Sequence, residues 1–281
     1  MKKTALVTGF EVGIRALEVC KQLQQEGYEL IILFENRNEQ FEKNSAVIGD
    51  AVFEQADFYS AEGMENLISK LKKYQFNAII NCHDALAFNG DFLLHDFLDF
   101  NYEEFLKIVQ YSVVSIAAIC IGLKDNIVPN GCIINITSSA GEEGGFVTIA
   151  YNASKAAVKN LSKSLACNLG NYNGIRVNCV APGWIPKSDY VAGGDTVELA
   201  NSLTPTPPRG QNKDLAKAVV DVINNSSING ATIVVDGGIT SSYLMYMLES
   251  LSEKGDKEAN DAMKAITNII NNEKAKLAKN R

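Results

Sequence analysis

Residues 138–155 read SSAGEEGGFVTIAYNASK. They carry a hydroxyl at Ser138, a phenol at Tyr151 and an ammonium at Lys155. Tyr151 and Lys155 stand at i and i+4, so a helix puts them on one face, one turn apart. Upstream, residues 131–138 (GCIINITS) form an apolar, β-branched run after a Pro-Asn-Gly turn, which predicts a buried strand. Ser138 then sits at the carboxyl end of that strand, where open α/β sheets bind their ligands. A serine, a tyrosine and a lysine gathered there make an acid–base site.

Strand and helix patterns alternate on both sides of this stretch. Residues 3–8 (KTALVT) predict a first strand, followed by the turn Gly9-Phe-Glu-Val-Gly13 and a helix over 14–26 that Gly27 ends. Residues 30–34 predict a second strand and 51–56 a weak third one ending at Asp57, with a polar, loop-like segment between them that has room for some helix. Residues 62–74 predict an amphipathic helix, with Met64, Leu67, Ile68 and Leu71 at helical spacing. Strand four is 76–81, and a long apolar helix spans 102–123. Beyond the opening stretch come a helix over 151–169, a sixth strand over 175–181, a proline-rich loop over 182–210, a helix over 214–224 and a last strand over 231–235. This alternation predicts a doubly wound parallel sheet with helices on both faces, in one α/β domain over residues 1–240. Residues 241–281 lose strand character and predict a helical extension.

Composition narrows the function. The formal net charge is −7 and 46% of residues are hydrophobic, a balance that argues against a nucleic-acid or membrane-surface partner and supplies ample core. No apolar stretch is read as long enough to span a membrane. The six cysteines (Cys20, Cys82, Cys120, Cys132, Cys167 and Cys179) are scattered through apolar runs, which predicts buried free thiols and a cytoplasmic protein. The two histidines, His83 and His95, have no metal-ligand spacing and are read as ordinary residues, with no metal expected.

The glycine turn, the serine strand and the Tyr-x-x-x-Lys helix, taken in order, resemble the short-chain dehydrogenase/reductase family, and 3-oxoacyl reductases in particular. The family turn is TGxxxGxG; Thr8, Gly9 and Gly13 match it and Arg15 replaces its last glycine. Asp57 matches the family's adenine-contacting aspartate, and Asn81 is the one match to the NNAG stretch, here Asn81-Cys-His-Asp84. Residues 134–141 (INITSSAG) match the catalytic serine strand, and Ser138 lies the usual distance before Tyr151. Residues 175–185 match the sixth strand and its Pro182-Gly183, and 209–238 match the closing VDGG segment. The resemblance covers about residues 3–240. It implies a Rossmann-like fold, NAD or NADP as cofactor, and a homodimer or homotetramer built through the two long helices, where Ala153, Ala156 and Ala157 suit close packing.

Within that family resemblance, Tyr151 is the expected acid/base. A free tyrosine has a pKa of about 10, and the Lys155 ammonium and a positive nicotinamide would lower it. Lys155 is also expected to hold the ribose hydroxyls. Ser138 would hydrogen-bond the reacting oxygen, with Ser139 its neighbouring alternative. Ser112 falls where the family places an asparagine that supports a proton relay through water; Gln110 and Ser115 lie nearby. The expected cofactor contacts are Thr8, Gly9, Gly13, Ile14, Arg15, Glu35, Asp57, Asn81, Tyr151, Lys155, Pro182, Gly183 and Ile185. Arg15 would pair with phosphate or crowd the cofactor. Glu35, after the second strand, and the non-basic Val12 favour NAD; Arg37 and Arg15 pull toward NADP, and the balance leans to NAD.

The implied reaction is hydride transfer that interconverts a secondary alcohol and a ketone on a small-molecule substrate, 3-oxoacyl-type or polyol-like. The departures at Arg15, Ser112 and the NNAG stretch support an alternative, a dinucleotide-binding regulatory or scaffold protein on the same fold; an epimerase or dehydratase is a third. Glu142, Glu143, Phe146, Trp184, Tyr190 and Arg209 are the loop residues that could meet a substrate, with Lys187 and Ser188 near the place of a family threonine. The extension carries Tyr243, Leu244, Met247, Leu248, Met263, Ile266 and Ile270 at helical spacing, which suits packing against the body or a neighbouring subunit.

Overall fold

Each β-branched run in this chain is followed by a helix with one apolar face, and the computed structural model resolves that alternation into three layers. It describes residues 2–83, 101–142, 149–183, 211–242, 251–253, 255–261 and 264. In chain order these give β1 (Lys3–Val7), α1 (Ile14–Gln25), β2 (Tyr28–Phe34), α2 (Glu39–Ser45), β3 (Ala51–Gln55), α3 (Ala61–Leu71), β4 (Phe76–Asn81), α4 (Tyr102–Gly122), β5 (Ile127–Ile136), α5 (Ile149–Asn173), β6 (Arg176–Pro182), α6 (Asn212–Asn224) and β7 (Thr232–Val235). The strands form one seven-stranded parallel sheet in the order β3-β2-β1-β4-β5-β6-β7. The order reverses between β1 and β4, so a crevice opens beyond the carboxyl ends of those two strands.

Side-chain alternation along the strands feeds two cores. Ala5, Val7, Ala78, Ile80, Cys132 and Ile134 point to the face covered by α1 and α6, where they meet Ala16, Val19, Leu23, Leu215 and Val219. Leu6, Ile79 and Ile133 point to the other face and meet Met64 and Leu67 of α3, Ile116 and Ile119 of α4, and Val158 and Leu165 of α5. The Arg176 guanidinium on β6 donates to the carbonyls of Val222, Ile223 and Ile228, closing the carboxyl end of α6 and the loop after it.

Three expectations need correction and one, the helix left open after β2, is sharpened. β5 begins at Ile127, so Pro129-Asn130-Gly131 is an irregularity inside the strand; Phe76 pairs with Ile127 but Ala78 with Cys132, and Asn130 takes φ 62° to absorb the extra residues. The polar segment after β2 contains the helix α2, which Asn38 caps by accepting from the Phe41 amide at 2.8 Å. Helix α4 is long and apolar enough to cross a membrane by length and composition, with a mean hydropathy of 1.8. It lies instead on the sheet as a core helix, with Ile108, Tyr111, Ile116, Ile119 and Cys120 buried. Cys167 is exposed on α5, while the other five cysteines are buried and free.

Candidate active site

The site begins with the turn between β1 and α1. Gly9 has φ 73°, and a Cβ there would lie 2.6 Å from the Cys82 carbonyl oxygen, so only glycine lets this turn press against the end of β4. The turn's carbonyls are drawn away from the crevice by α2. Asn44, almost wholly buried, donates its amide to Phe10 O at 2.7 Å and Gly13 O at 3.0 Å, and Asn38 donates to Glu11 O at 3.1 Å. Gly13 caps α1 without any side-chain bond, and the first turn of α1, which starts at Ile14, holds no acidic residue. A helix N-terminus with its amides unclaimed by a cap is suited to an anion. The cradle therefore fits the pyrophosphate of a dinucleotide. Arg15 is largely buried in α1, and Phe10 is core, packed edge-on against Phe41 at 5.9 Å and tilted against Phe53 at 5.7 Å.

Beyond the turn, at the end of β2, lies an acidic corner. Glu35 is half-buried, and desolvation pushes its carboxyl above the usual range, with Asp57 adding repulsion. Asp57 itself is exposed; it accepts from the Ser60 hydroxyl and from the Tyr59 amide at 2.9 Å, which hold its carboxyl below the usual range. Burial, then the charges of Glu35, Glu11 and Asp57, raise the Tyr59 phenol. Arg37 turns away, over the rings of Phe34 at 5.5 Å and Phe41 at 5.2 Å. Glu11 was not among the expected site residues. It is 6% exposed, accepts from the Glu35 amide at 2.9 Å, and burial pushes its carboxyl up to about 7.

On the other side of the crevice, α5 presents Tyr151 and Lys155 inward as their spacing predicts, both buried, with Lys155 Nζ 5.4 Å from the Tyr151 ring centroid. Lys155 Nζ donates to His83 O at 2.9 Å and Ile136 O at 3.2 Å, which seats the ammonium between the ends of β4 and β5. Ser138 lies two residues beyond β5 and opens a short helical turn over Ser139–Gly141, its Oγ accepting from the Ala140 amide at 3.2 Å. A Cβ on Gly141 would stand 2.9 Å from the Lys155 carbonyl carbon, so glycine lets the serine segment close onto α5. Ser139 is buried beside it. Glu142 forms an ion pair with Lys159 of α5, and so ties the loop down rather than facing a substrate.

His83 is not an ordinary residue. It is fully buried, its Nδ1 is hydrogen-bonded to Thr8 Oγ1 at 2.9 Å, and Phe58 and Tyr111 pack edge-on against its ring at 4.4 and 5.0 Å. Burial, then the Lys155 charge, depress its pKa to about 3, so the imidazole is neutral. Thr8 Oγ1 also accepts from the Cys82 amide at 3.0 Å, so the Thr8 side chain binds β1 to β4. Asn81 turns into the core, donating to Asn135 Oδ1 at 2.7 Å, while Asn135 donates to Ser162 Oγ at 2.8 Å. The Asn81 side-chain amide thus braces β4 against β5, while its Oδ1 is buried without a hydrogen-bond partner among the described residues. Ser112 sits in a π-helical turn, Gln110–Val114, within α4; its Oγ is buried without a hydrogen-bond partner among the described residues. Gly183, after β6, donates its amide to Val235 O at 3.0 Å, and Pro182 is buried.

Ile185, Glu143, Phe146, Trp184, Lys187, Ser188, Tyr190, Arg209 and His95 lie outside the described residues, as do the side chains of the extension's apolar series. Among the described residues no group of three or more His, Cys, Asp or Glu could hold a metal.

A parallel sheet with a glycine turn at its switch point, and a buried tyrosine and lysine across the crevice, defines a dinucleotide-dependent oxidoreductase. Comparison makes this specific. Residues 12–240 match the family model described as enoyl-(acyl carrier protein) reductase. The chain belongs to the short-chain dehydrogenase/reductase family and is an NAD(P)-dependent enzyme of 3-oxoacyl-reductase-like type. It is 28% identical over 250 residues to a 3-oxoacyl-(acyl-carrier-protein) reductase of Chlamydia trachomatis, covering 85% of this chain and 98% of the relative. It is 26% identical over 252 residues to glucose 1-dehydrogenase 2 of Bacillus subtilis, covering 85% and 95%. A dehydrogenase/reductase structure from Sinorhizobium meliloti superposes with a TM-score of 0.74 at 26% identity, over 84% of this chain and 94% of that one.

Proposed function

We propose that the protein interconverts a secondary alcohol and a ketone, with Tyr151 moving the hydroxyl proton. The observation that carries this is the burial of Tyr151 against the Lys155 ammonium, 5.4 Å from ring centroid to Nζ, beside the glycine turn. A cation held there favours the phenolate over the phenol and brings the tyrosine closer to the working range of a base. Lys155 is kept in place by the carbonyls of His83 and Ile136. Ser138, two residues beyond β5, donates to the reacting oxygen and stabilises its charge. Ser112, whose buried hydroxyl has no hydrogen-bond partner among the described residues, is the group that would hold a relay water.

The cofactor is held by the turn from Gly9 to Gly13 and the first amides of α1. When bound, its nicotinamide accepts or supplies the hydride. The acidic corner at the end of β2 supports NAD over NADP, because a ribose 2′-hydroxyl can donate to Glu35 whereas a 2′-phosphate is repelled. The relatives' names, a 3-oxoacyl reductase and a glucose dehydrogenase, support a 3-oxoacyl-type or polyol-like substrate. Residues 1–240 act as the cofactor-binding and catalytic body and 241–281 as a helical extension.

The test is a screen of carbonyl and alcohol substrates with NADH and NAD, comparing wild type with Tyr151→Phe. Turnover that falls by at least about 100-fold, with dinucleotide affinity kept, supports the proposal. Dinucleotide binding with no turnover across the panel would favour a regulatory or scaffold protein instead.

A further inference from the structure

A carboxyl on the glycine turn is electrostatically at odds with a pyrophosphate, so Glu11 needs a reason to be there. Its Oε1 accepts from the Glu35 amide at 2.9 Å, while its Oε2 is buried without a hydrogen-bond partner among the described residues. The side chain is 6% exposed, and its backbone carbonyl is held by Asn38 Nδ2 at 3.1 Å, so it is fixed at both ends. Glu35 and Glu11 repel each other, and both bear on Tyr59 together with Asp57. Lys107 is the cation acting on Glu35, and Arg37 is stacked on the rings of Phe34 and Phe41.

We propose that Glu11 is a second determinant of dinucleotide choice. It occupies the Glu35 amide and sets a carboxyl beside it, so the end of β2 turns away a 2′-phosphate even when Glu35 is replaced. This rests on the reading that the acidic corner takes the adenosine ribose. A backbone amide at a strand end is an ordinary donor to a phosphate oxygen. Here that donor already has an acceptor, and the acceptor is itself acidic. Removing Glu35 alone takes away one charge and leaves the donor blocked. Removing Glu11 as well frees the donor and takes away the second charge. The two substitutions are therefore coupled rather than additive.

The experiment measures dissociation constants for NADH and NADPH by nicotinamide fluorescence on the full chain. The proteins are wild type, Glu35→Ser, Glu11→Ser, the double variant and Glu11→Gln, with thermal melts to establish folding. Wild type prefers NADH. The double variant shifts the NADPH-to-NADH preference at least about tenfold further than the product of the single shifts. Glu11→Gln, which keeps an acceptor for the Glu35 amide but no acid, shifts it less than Glu11→Ser. An NADH preference in wild type with additive single effects in folded variants overturns the role of Glu11 alone. A wild type that binds NADPH as tightly as NADH, or binds neither, overturns the ribose reading and this inference with it.

Discussion

Lys155 reaches the carbonyl of His83, and the His83 ring reaches Thr8, so one buried residue joins the catalytic helix to the glycine turn. His83 and Glu11 are opposite cases of burial. Glu11 is raised from 4.5 to about 7. A raised carboxyl gives stability that is full below the unfolded pKa and is lost as pH climbs through the folded one. The loss by pH 8 is on the order of 3 kcal/mol. Glu11→Gln is therefore expected to gain thermal stability over wild type at pH 8 and little at pH 5, read as the difference in melting temperature. His83 is depressed from 6.5 to about 3. The stability of its neutral form is present above pH 6.5 and is lost as pH falls toward 3, so His83→Phe flattens the acid limb of the stability profile. Ser112 makes a separate prediction. Its hydroxyl has no partner among the described residues, so Ser112→Ala leaves the unfolding free energy within about 0.5 kcal/mol of wild type. If the hydroxyl holds a relay water, kcat falls nonetheless, and steady-state kinetics beside a melt separate the two. The pairing of Tyr151 with Lys155 was legible because helical spacing is local. Glu11 and His83 were not, because their partners lie 24 and 75 residues away and only the folded sheet brings them together.

At the level of elements, the glycine turn is shaped as much by α2 as by its own glycines. Asn44 holds two of the turn's carbonyls with one buried amide. Asn44→Ala leaves Phe10 O and Gly13 O without that donor, at a cost of about 2–3 kcal/mol, and lets the turn relax. Its denaturation midpoint is expected to fall and its NADH dissociation constant to rise. The segment after β2 is polar and loop-like with room for some helix, but its hold on the turn was not readable; the short helix forms because Asn38 caps it and Phe41 finds a core. The strands other than the weak β3 were readable because they are compact apolar runs. β5 was a second exception, since Pro129-Asn130-Gly131 reads as a turn and instead bulges within the strand.

At the scale of the whole molecule, α4 and α5 each bury one face on the sheet and leave the other uncovered. Tyr102, Leu106, Val114 and Ile121 of α4 are exposed, as are Ala153, Ala156 and Ala157 of α5. Small residues flanked by large apolar ones suit a second copy packing face to face, which supports the homo-oligomer inferred from the family. Val114→Glu combined with Ala157→Glu is expected to give a monomer by sedimentation, where wild type is expected to run as a dimer or tetramer. The doubly wound architecture was legible because strand and helix patterns alternate from residue 3 to 235. The membrane question was not, since α4 has the apolarity of a spanning helix and only its packing identifies it as core. All of this architecture serves the crevice where Tyr151 meets Lys155, and one measurement tests that pairing most directly. In a single turnover, enzyme pre-loaded with NADH is mixed with a 3-oxoacyl substrate and loss of nicotinamide fluorescence is followed for wild type and Tyr151→Phe. The expected result is unchanged NADH binding and hydride transfer slowed by at least about 100-fold. Transfer within about twofold of wild type would contradict Tyr151 as the proton-transferring group.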